Sequence, residues 1–453
     1  MISQLRLTDA AIAFGGTLLN PDCCFDKVSI DSRNFDEGDL FVALEGENFD
    51  AHQFLAGVAS KASGLVVNRP DKSLMLPQWV VKDTTEALGQ LAQMNRDKFK
   101  GPLIAITGSS GKTSVKEMTT AILSQNANVH ATYGNFNNHI GVPLTLLAMP
   151  EPTDFAVIEM GASGAGEILY LCAIAKPDIA LINNIQHAHI EGFGSIEAVA
   201  SAKAEIYSGL KTDGIAVLNV DMSWSKMWRE ALLGQSCITY SVDQKDADIY
   251  AEKLIVLNNG CYQFDICSGD KKQSITLAMP GMHSVRNALA AASCAIAAGA
   301  GLEQIAKGLA LVKPVAGRLN ARQIDNNVTL FDDTYNANPD SFKAAIDVLS
   351  SSGGYKVLVM GDMAELGEKA LEMHEMIGAY AAESGIDELH SVGLLSAIAS
   401  SQFGGTHHAD KAVLVNSLKL IFNQKPKITV LVKGSRSAEM EKVVKLLSNK
   451  EVT

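Results

Sequence analysis

Residues 106 to 118 read I-T-G-S-S-G-K-T-S-V-K-E-M, and their chemistry is that of an anion cradle. Gly108 and Gly111 permit a tight turn whose backbone N–H groups converge on one point, and a following helix would aim its positive end there. Ser109, Ser110 and Ser114 keep the loop small and polar, while Lys112 and Thr113 supply a phosphate-binding ammonium and a hydroxyl suited to Mg²⁺. The usual loop of this kind has the form G-x-x-x-x-G-K-[ST]; Ile106 stands where its first glycine belongs, so the match is partial and the loop is shorter.

A second group of residues follows the apolar run FAVIE, which ends in E-M-G-A. Glu159 would therefore sit at the carboxyl edge of a strand beside the loop, where a carboxylate suits a divalent ion bridging nucleotide phosphates. The segment N-N-I-Q-H-A-H-I-E-G-F-G-S puts His187 and His189 on a loop at the same edge. Their alternate spacing lets only one face the site in extended backbone, and residue type leaves open which. Lys203, in S-A-K-A-E-I-Y, reads on residue type alone as a solvated charge on a helix. Farther along, Arg318, the run F-D-D-T-Y-N-A-N-P at 331–339 and the segments M-G-D-M-A-E-L-G and V-K-G-S-R-S gather polar groups at strand ends. Several such clusters at one sheet edge predict a substrate-facing surface and a site between domains.

The elements that must carry these residues can be read from periodicity. PLIAIT is a buried-strand run, and Val115, Met118, Thr119 and Ile122 then recur at helical spacing. From 103 onward such runs alternate with helical stretches through GIAVLN, which predicts a parallel α/β sheet, with FAVIE as its second strand. Residues 252–279 change to hairpin patterns split by N-N-G and S-G-D-K-K-Q, and two alanine-rich helices follow, at about 284–299 and 302–311. After Lys313-Pro314 the alternation resumes in VTLFDD, YKVLVMG, ELHSV and ITVLVKG, a Rossmann-like α/β unit without a G-x-G-x-x-G. Boundaries near 101 and 314 divide the chain into 1–100, 101–314 and 315–453.

The 453 residues suffice for roughly three domains of about 150 residues, and 47% hydrophobic content fills their cores. A net charge of −12 argues against nucleic-acid or anionic-membrane surfaces, so a phosphate ligand must be met by local donors. The first 25 residues lack the pattern of a signal peptide, and no apolar run is long enough to span a bilayer, which predicts a cytoplasmic protein without membrane insertion. The cysteines at 23, 24, 172, 237, 261, 267 and 294 form no C-x-x-C pair and read as reduced, mostly buried thiols.

TGSSGKTS, EMGA, AHIEGFGS, AKAEIYSG, D-D-T-Y-N-A-N-P, GDMAELGE with His374, and VKGSRS follow one another as they do in the ATP-dependent muramyl (Mur) ligases of peptidoglycan synthesis, which the whole chain resembles. D-S-R at 31–33 and GDLFVALEGENFDAHQF at 38–54 are similar to the nucleotide-sugar-binding domain of one branch of that family, and N-N-H-I-G-V-P, Y-N-A-N-P and GDMAELG, farther along, resemble stretches specific to the same branch. The resemblance implies three α/β domains: one for a UDP-sugar, one P-loop ATPase-like parallel sheet with added antiparallel hairpins, and one Rossmann-like ligase domain. It implies a monomeric ligase that phosphorylates the terminal carboxylate of UDP-MurNAc-tripeptide with ATP and passes the acyl group to the amine of D-Ala-D-Ala.

By the same resemblance, residues 108–114 hold the ATP phosphates, and Lys112 stabilises the transferring γ-phosphoryl. Thr113 and Glu159 bind Mg²⁺; His189, rather than His187, helps to hold a second Mg²⁺. Lys203 falls where relatives carry a lysine carbamylated by CO₂, which would make it a metal ligand. Asn287 resembles the adenine contact, and Arg318 and Asp333 the tail-domain contacts to ATP. Asp31, Ser32 and Arg33 would meet the uridine diphosphate, and Asn135, Asn137 and Asn138 the muramyl-peptide; Tyr335 and Asn336 are expected to face substrate from the strand-end cluster at 331–339 itself. Ser163 departs from relatives that have Asn after EMGA. Two other readings compete: folylpolyglutamate synthetase, which usually lacks a domain before the loop, and a nucleotide-dependent switch, for which the polar strand ends of the tail are superfluous.

Overall fold

The computed structural model describes residues 1–188, 190–257 and 259–448. Three separate sheets, each drawn from its own stretch of chain, organise the molecule. The first has five strands in the order Thr17–Leu19, Gln78–Val80, Gly64–Val67, Leu40–Val42 and Val28–Ser29, parallel except for the Thr17–Leu19 edge. Helix Thr84–Lys98 leaves this unit. It starts on Asp83, whose carboxylate accepts from Thr85 and Glu86 N–H, and it stops before the extended Phe99.

That helix is also the splice to the second unit. Arg96, 3% exposed, donates to Ala175 O (2.6 Å), Lys176 O (2.9 Å), Phe99 O (3.1 Å) and Asp178 Oδ2 (3.1 Å). It thereby caps the carboxyl end of helix Glu167–Ala175 from the neighbouring domain, as a cation at a helix C-terminus should. One apolar cluster continues through the same junction, from Leu5 and Trp79 to Leu103, Val142 and Ile206. The first of the two boundaries is therefore clamped by a buried guanidinium and a shared core.

The second sheet has nine strands, in the order Val129–Ala131, Phe155–Glu159, Leu103–Thr107, Ile179–Ile182, Ile215–Asn219, Ser236–Ser241, Ile249–Val256, Cys261–Ser268 and Lys271–Pro280. Neighbours run parallel as far as Ile249–Val256, and the last two strands add antiparallel hairpins. Leu103–Thr107 is buried along its length because helices cover both faces. FAVIE is the third strand along the chain rather than the second. The three-residue strand Val129–Ala131 precedes it, too short to leave a periodic signal. Helix Gly141–Leu147 also escapes the pattern, since Gly141 and Pro143 read as breakers, yet both lie in its first turn, where proline is tolerated.

The third sheet runs Asn320–Gln323, Val328–Asp333, Ile428–Lys433, Tyr355–Gly361, Glu388–Val392 and Thr406–His408, parallel except at its first edge. It carries an anion nest that is already filled. The Asp362 carboxylate accepts from the backbone N–H of Leu394 (2.9 Å), Leu395 (3.1 Å) and Ser396 (2.7 Å) at the start of helix Ser396–Phe403. Gly393 (φ 130°) lets the carboxylate in, because a Cβ there would stand 2.3 Å from Asp362 Oδ1. A dinucleotide fold would put a pyrophosphate at such a turn. All seven cysteines are free thiols; four are buried, and Cys24 is exposed. Among the described residues no helix is long and apolar enough to cross a membrane.

Candidate active site

The strand Leu103–Thr107 delivers the loop, and the loop is held open by the next strand over. Gly108 (φ 152°) and Gly111 (φ 73°) turn the chain, and Gly111 is the residue from which helix Lys112–Leu123 starts. Around them Asn184 Oδ1 accepts from Ser110 N–H (2.8 Å), Asn183 Nδ2 donates to Ser110 O (2.9 Å), and Ser110 Oγ donates to Gln186 Oε1 (2.5 Å). A Cβ at Gly111 would fall 2.7 Å from both Asn183 Nδ2 and Asn287 Oδ1, so glycine is required there for space as well as for its backbone angle. Lys112 folds back on its own loop, donating to Gly108 O at 2.7 Å; burial lowers its pKa, against the attraction of Glu159.

Glu159 is 2% exposed, on the strand next to the loop strand. Asn137 Nδ2 donates to its Oε1 (2.8 Å), while its Oε2 has no hydrogen-bond partner among the described residues. Burying a carboxylate oxygen without a donor is unfavourable unless a cation completes it. Thr113, 7% exposed, puts its hydroxyl on the same cavity. The residues present thus fit a divalent ion that takes one carboxylate, one hydroxyl and its remaining ligands from phosphate oxygens. Among the described residues no cluster of three or more His, Cys, Asp or Glu could by itself hold a metal ion.

The tail domain closes the cavity. Arg318 Nη2 donates to Thr113 Oγ1 (3.0 Å), and its guanidinium lies 4.2 Å from the centre of the Tyr335 ring. Asn338 Nδ2 donates to Ser110 Oγ (3.1 Å), while its Oδ1 caps helix Pro339–Ser351. Asp333 accepts from Lys433 Nζ (2.5 Å) and Leu319 N–H (3.1 Å). His187 meets the tail from the other side, its N–H donating to Asp340 Oδ2 (3.0 Å). The result is a cavity of about 450 Å³ with the phosphate loop on one wall and tail-domain strand ends on the other.

Residues 109–114, Glu159, Asn135, Asn137, Asn138, Asn287, Arg318, Asp333, Tyr335 and Asn336 all line that cavity. Asn138 also has a structural task, its Oδ1 accepting from Gly141 N–H (2.8 Å). Asp31, Ser32 and Arg33 do not line it: they sit on the N-terminal domain, where Arg33 makes a two-pronged pair with Asp31 at 2.9 Å. Lys203 does not line it either, but the reading of that lysine as a solvated charge is overturned. It is 1% exposed, 5.9 Å from the centre of the Phe193 ring, and burial pushes its pKa down to about 7 with repulsion from Lys112 adding to the effect. A helix lysine beside alanines gives no sign in sequence of which side it faces. His189 lies outside the described residues.

Sequence reasoning missed His283, Asn184 and Gln186 as cavity residues, while Lys433 was carried only within the V-K-G-S-R-S strand end. His283 is part-buried at the start of helix Met282–Ala297, where burial holds its imidazole down to about 4, against the pull of Asp333. The signal for it was the P-G-M-H-S run that opens that helix.

The family profile described as Mur ligase middle domain matches residues 106–295, and that of the Mur ligase, glutamate ligase domain matches 317–436. The chain is 45% identical over 448 residues, 98% of each sequence, to the UDP-N-acetylmuramoyl-tripeptide–D-alanyl-D-alanine ligase of Escherichia coli K12. It belongs to the Mur ligase family. The Haemophilus influenzae ligase of the same name is 43% identical over 94% of both chains. Among solved structures this Mur ligase is similar to MurF from Acinetobacter baumannii, with a TM-score of 0.93 at 35% identity over 99% of this chain and 100% of that one. MurF from Thermotoga maritima in complex with ADP gives a TM-score of 0.84 at 28% identity, over 93% and 97%. Folylpolyglutamate synthase from Mycobacterium tuberculosis shares the fold at 17% identity, over 81% of this Mur ligase.

Proposed function

We propose that this Mur ligase is the ATP-dependent enzyme that adds D-alanyl-D-alanine to UDP-MurNAc-tripeptide, giving UDP-MurNAc-pentapeptide, ADP and phosphate for peptidoglycan synthesis. The observation that carries the mechanism is the single cavity walled by the phosphate loop and by the tail-domain strand ends. A carboxylate is a poor electrophile, so it must first acquire a leaving group. A tripeptide carboxylate oxygen bonds to the γ-phosphorus, the bond from that phosphorus to the β-bridging oxygen breaks, and ADP departs. The amine then attacks the acyl carbon, loses a proton and expels inorganic phosphate.

In this scheme the backbone N–H groups of residues 108–114 and Lys112 meet the charge on the phosphates, Asn287 meets the base, and Arg318 and Asp333 close over the nucleotide from the tail. Arg318 would exchange Thr113 for phosphate as it does so. Thr113 and Glu159 would hold Mg²⁺; Lys203 as a carbamate and His189 would complete a second site. Bound there, Mg²⁺ neutralises phosphate charge during transfer. Residues 101–314 are the ATP-binding unit, and 315–453 carry Tyr335 and Asn336 to the substrate. Asn137 orients Glu159, and Asn135 and Asn138 line the approach of the muramyl-peptide. Residues 1–100 bind the uridine diphosphate end through Asp31, Ser32 and Arg33. The enzyme works in the cytoplasm as a monomer, with no nucleic-acid or membrane partner.

The test is the stoichiometry of ATP use. ADP should form at a substantial rate only when UDP-MurNAc-tripeptide and D-Ala-D-Ala are both present. Brisk turnover with either alone would sink the assignment and favour a switch-type nucleotidase.

A further inference from the structure

His374 lies on helix Ala370–Glu383 and is fully buried, outside the set of residues that line the cavity. Its two ring nitrogens have different duties. Nδ1 is 2.6 Å from the carbonyl oxygen of Ala370, which can only accept, so the ring proton resides on Nδ1. Nε2 is left with a lone pair and accepts the backbone N–H of Met363 at 3.0 Å. That bond pins the start of a turn. Met363 and Leu366 are buried, while Ala364 and Glu365 between them line the cleft and the adjoining recess that reaches Ser435 and Arg436. Glu365 is held at a left-handed φ of 62°, which a non-glycine residue keeps only when its surroundings enforce it. Its carbonyl oxygen accepts from Glu191 N–H (3.2 Å) across the domain boundary.

We infer that His374 is a positioning residue for the ligation: its Nε2 lone pair fixes residues 363–367 as a wall of the subsite that receives the incoming amine. This rests on the reading that an amine acceptor enters the cleft. The recess beside this turn contains no phosphate-loop residue, so a displaced wall should weaken the acceptor and leave the nucleotide alone.

Two amide variants separate the duties of the ring. His374→Gln places an acceptor where Nε2 stood; His374→Asn reaches only as far as Nδ1, so it keeps the contact to Ala370 and orphans the Met363 N–H. The expected result is that His374→Asn raises the KM for D-Ala-D-Ala at least tenfold, with the KM for ATP within twofold, and that His374→Gln restores the wild-type values. Equal effects of the two variants, or a loss shared between acceptor and ATP, would overturn the inference. Amide exchange at Met363 is read in parallel and does not depend on what the acceptor is. Protection should persist in the wild type and His374→Gln and fall at least tenfold in His374→Asn; unchanged protection in His374→Asn overturns the proposal. If the wild type fails to use D-Ala-D-Ala, the reading of function falls, and the exchange measurement still decides the role of His374.

Discussion

Lys203 is where the fold and the chemistry pull against each other, and Lys203→Met measures the conflict. The side chain is 1% exposed, pairs with no carboxylate among the described residues, and its pKa falls from the ordinary 10.5 to about 7. Each pH unit of that displacement is worth about 1.4 kcal/mol of folding free energy, so holding this lysine costs the native state on the order of 5 kcal/mol. Because the folded group binds protons less readily than the unfolded one, the destabilisation is complete below pH 7. It shrinks as pH rises from 7 to 10.5 and vanishes above, where the unfolded lysine is neutral as well. Methionine fills much the same volume without the ammonium. We expect Lys203→Met to be more stable than the wild type by roughly 2–4 kcal/mol near pH 7, a rise of about 5 °C or more in melting temperature. The gain should fade toward pH 10, and ligase activity should be lost. Melting scans at a series of pH values, with ADP release assayed on the same samples, test this. A variant that melts lower at pH 7, a gain independent of pH, or retained turnover would refute the reasoning. The same lysine is close to half neutral at pH 7, the form that reacts with CO₂, so Lys203→Ala should regain part of its activity when a small carboxylate is supplied.

Glu159→Gln keeps the bond from Asn137 and removes the charge from the unpartnered Oε2, so we expect melting to change little while kcat falls about 100-fold or more. A comparison of turnover at matched folded fraction checks it, and near-normal kcat would remove Glu159 from the chemistry. Arg96→Ala should destabilise the protein by roughly 3–5 kcal/mol in urea unfolding, since it takes the guanidinium from the carbonyls of Ala175 and Lys176 and leaves Asp178 with only Leu103 N–H and Lys211. A loss below about 1 kcal/mol would mean that the guanidinium is dispensable and that the junction between the first two sheets is held by its apolar cluster and by contacts such as Asn95 to Leu146 O.

The strand, loop and helix at 103–123 were legible because their signals are local: both glycines, Lys112 and Thr113 fall within residues 108–113, and strand and helix follow directly from periodicity. Glu159 could be placed for a related reason, since a strand-end carboxylate needs only the strand to be located. Lys203 could not, because its burial is decided by Phe193 and by the packing of helix Ile196–Ser208, which no spacing encodes. The cross-domain pairs, Arg318 with Thr113 and Asn338 with Ser110, join residues more than two hundred positions apart. Sequence gave their candidacy as polar strand ends but not their partners. The short strand Val129–Ala131 and the helix Gly141–Leu147 were illegible because one is too brief for a period and the other opens on residues that usually stop a helix.

The Asp362 carboxylate, seated on three backbone N–H groups, has a consequence for the end of the catalytic cycle. In the proposed ligation each turnover would release phosphate into the cleft between two α/β sheets, and the turn at the start of helix Ser396–Phe403 would be a resting place for an anion. By occupying that turn with its own side chain, the tail domain leaves the departing anion no shelter there. Product inhibition by phosphate should therefore arise at the central loop, in competition with ATP.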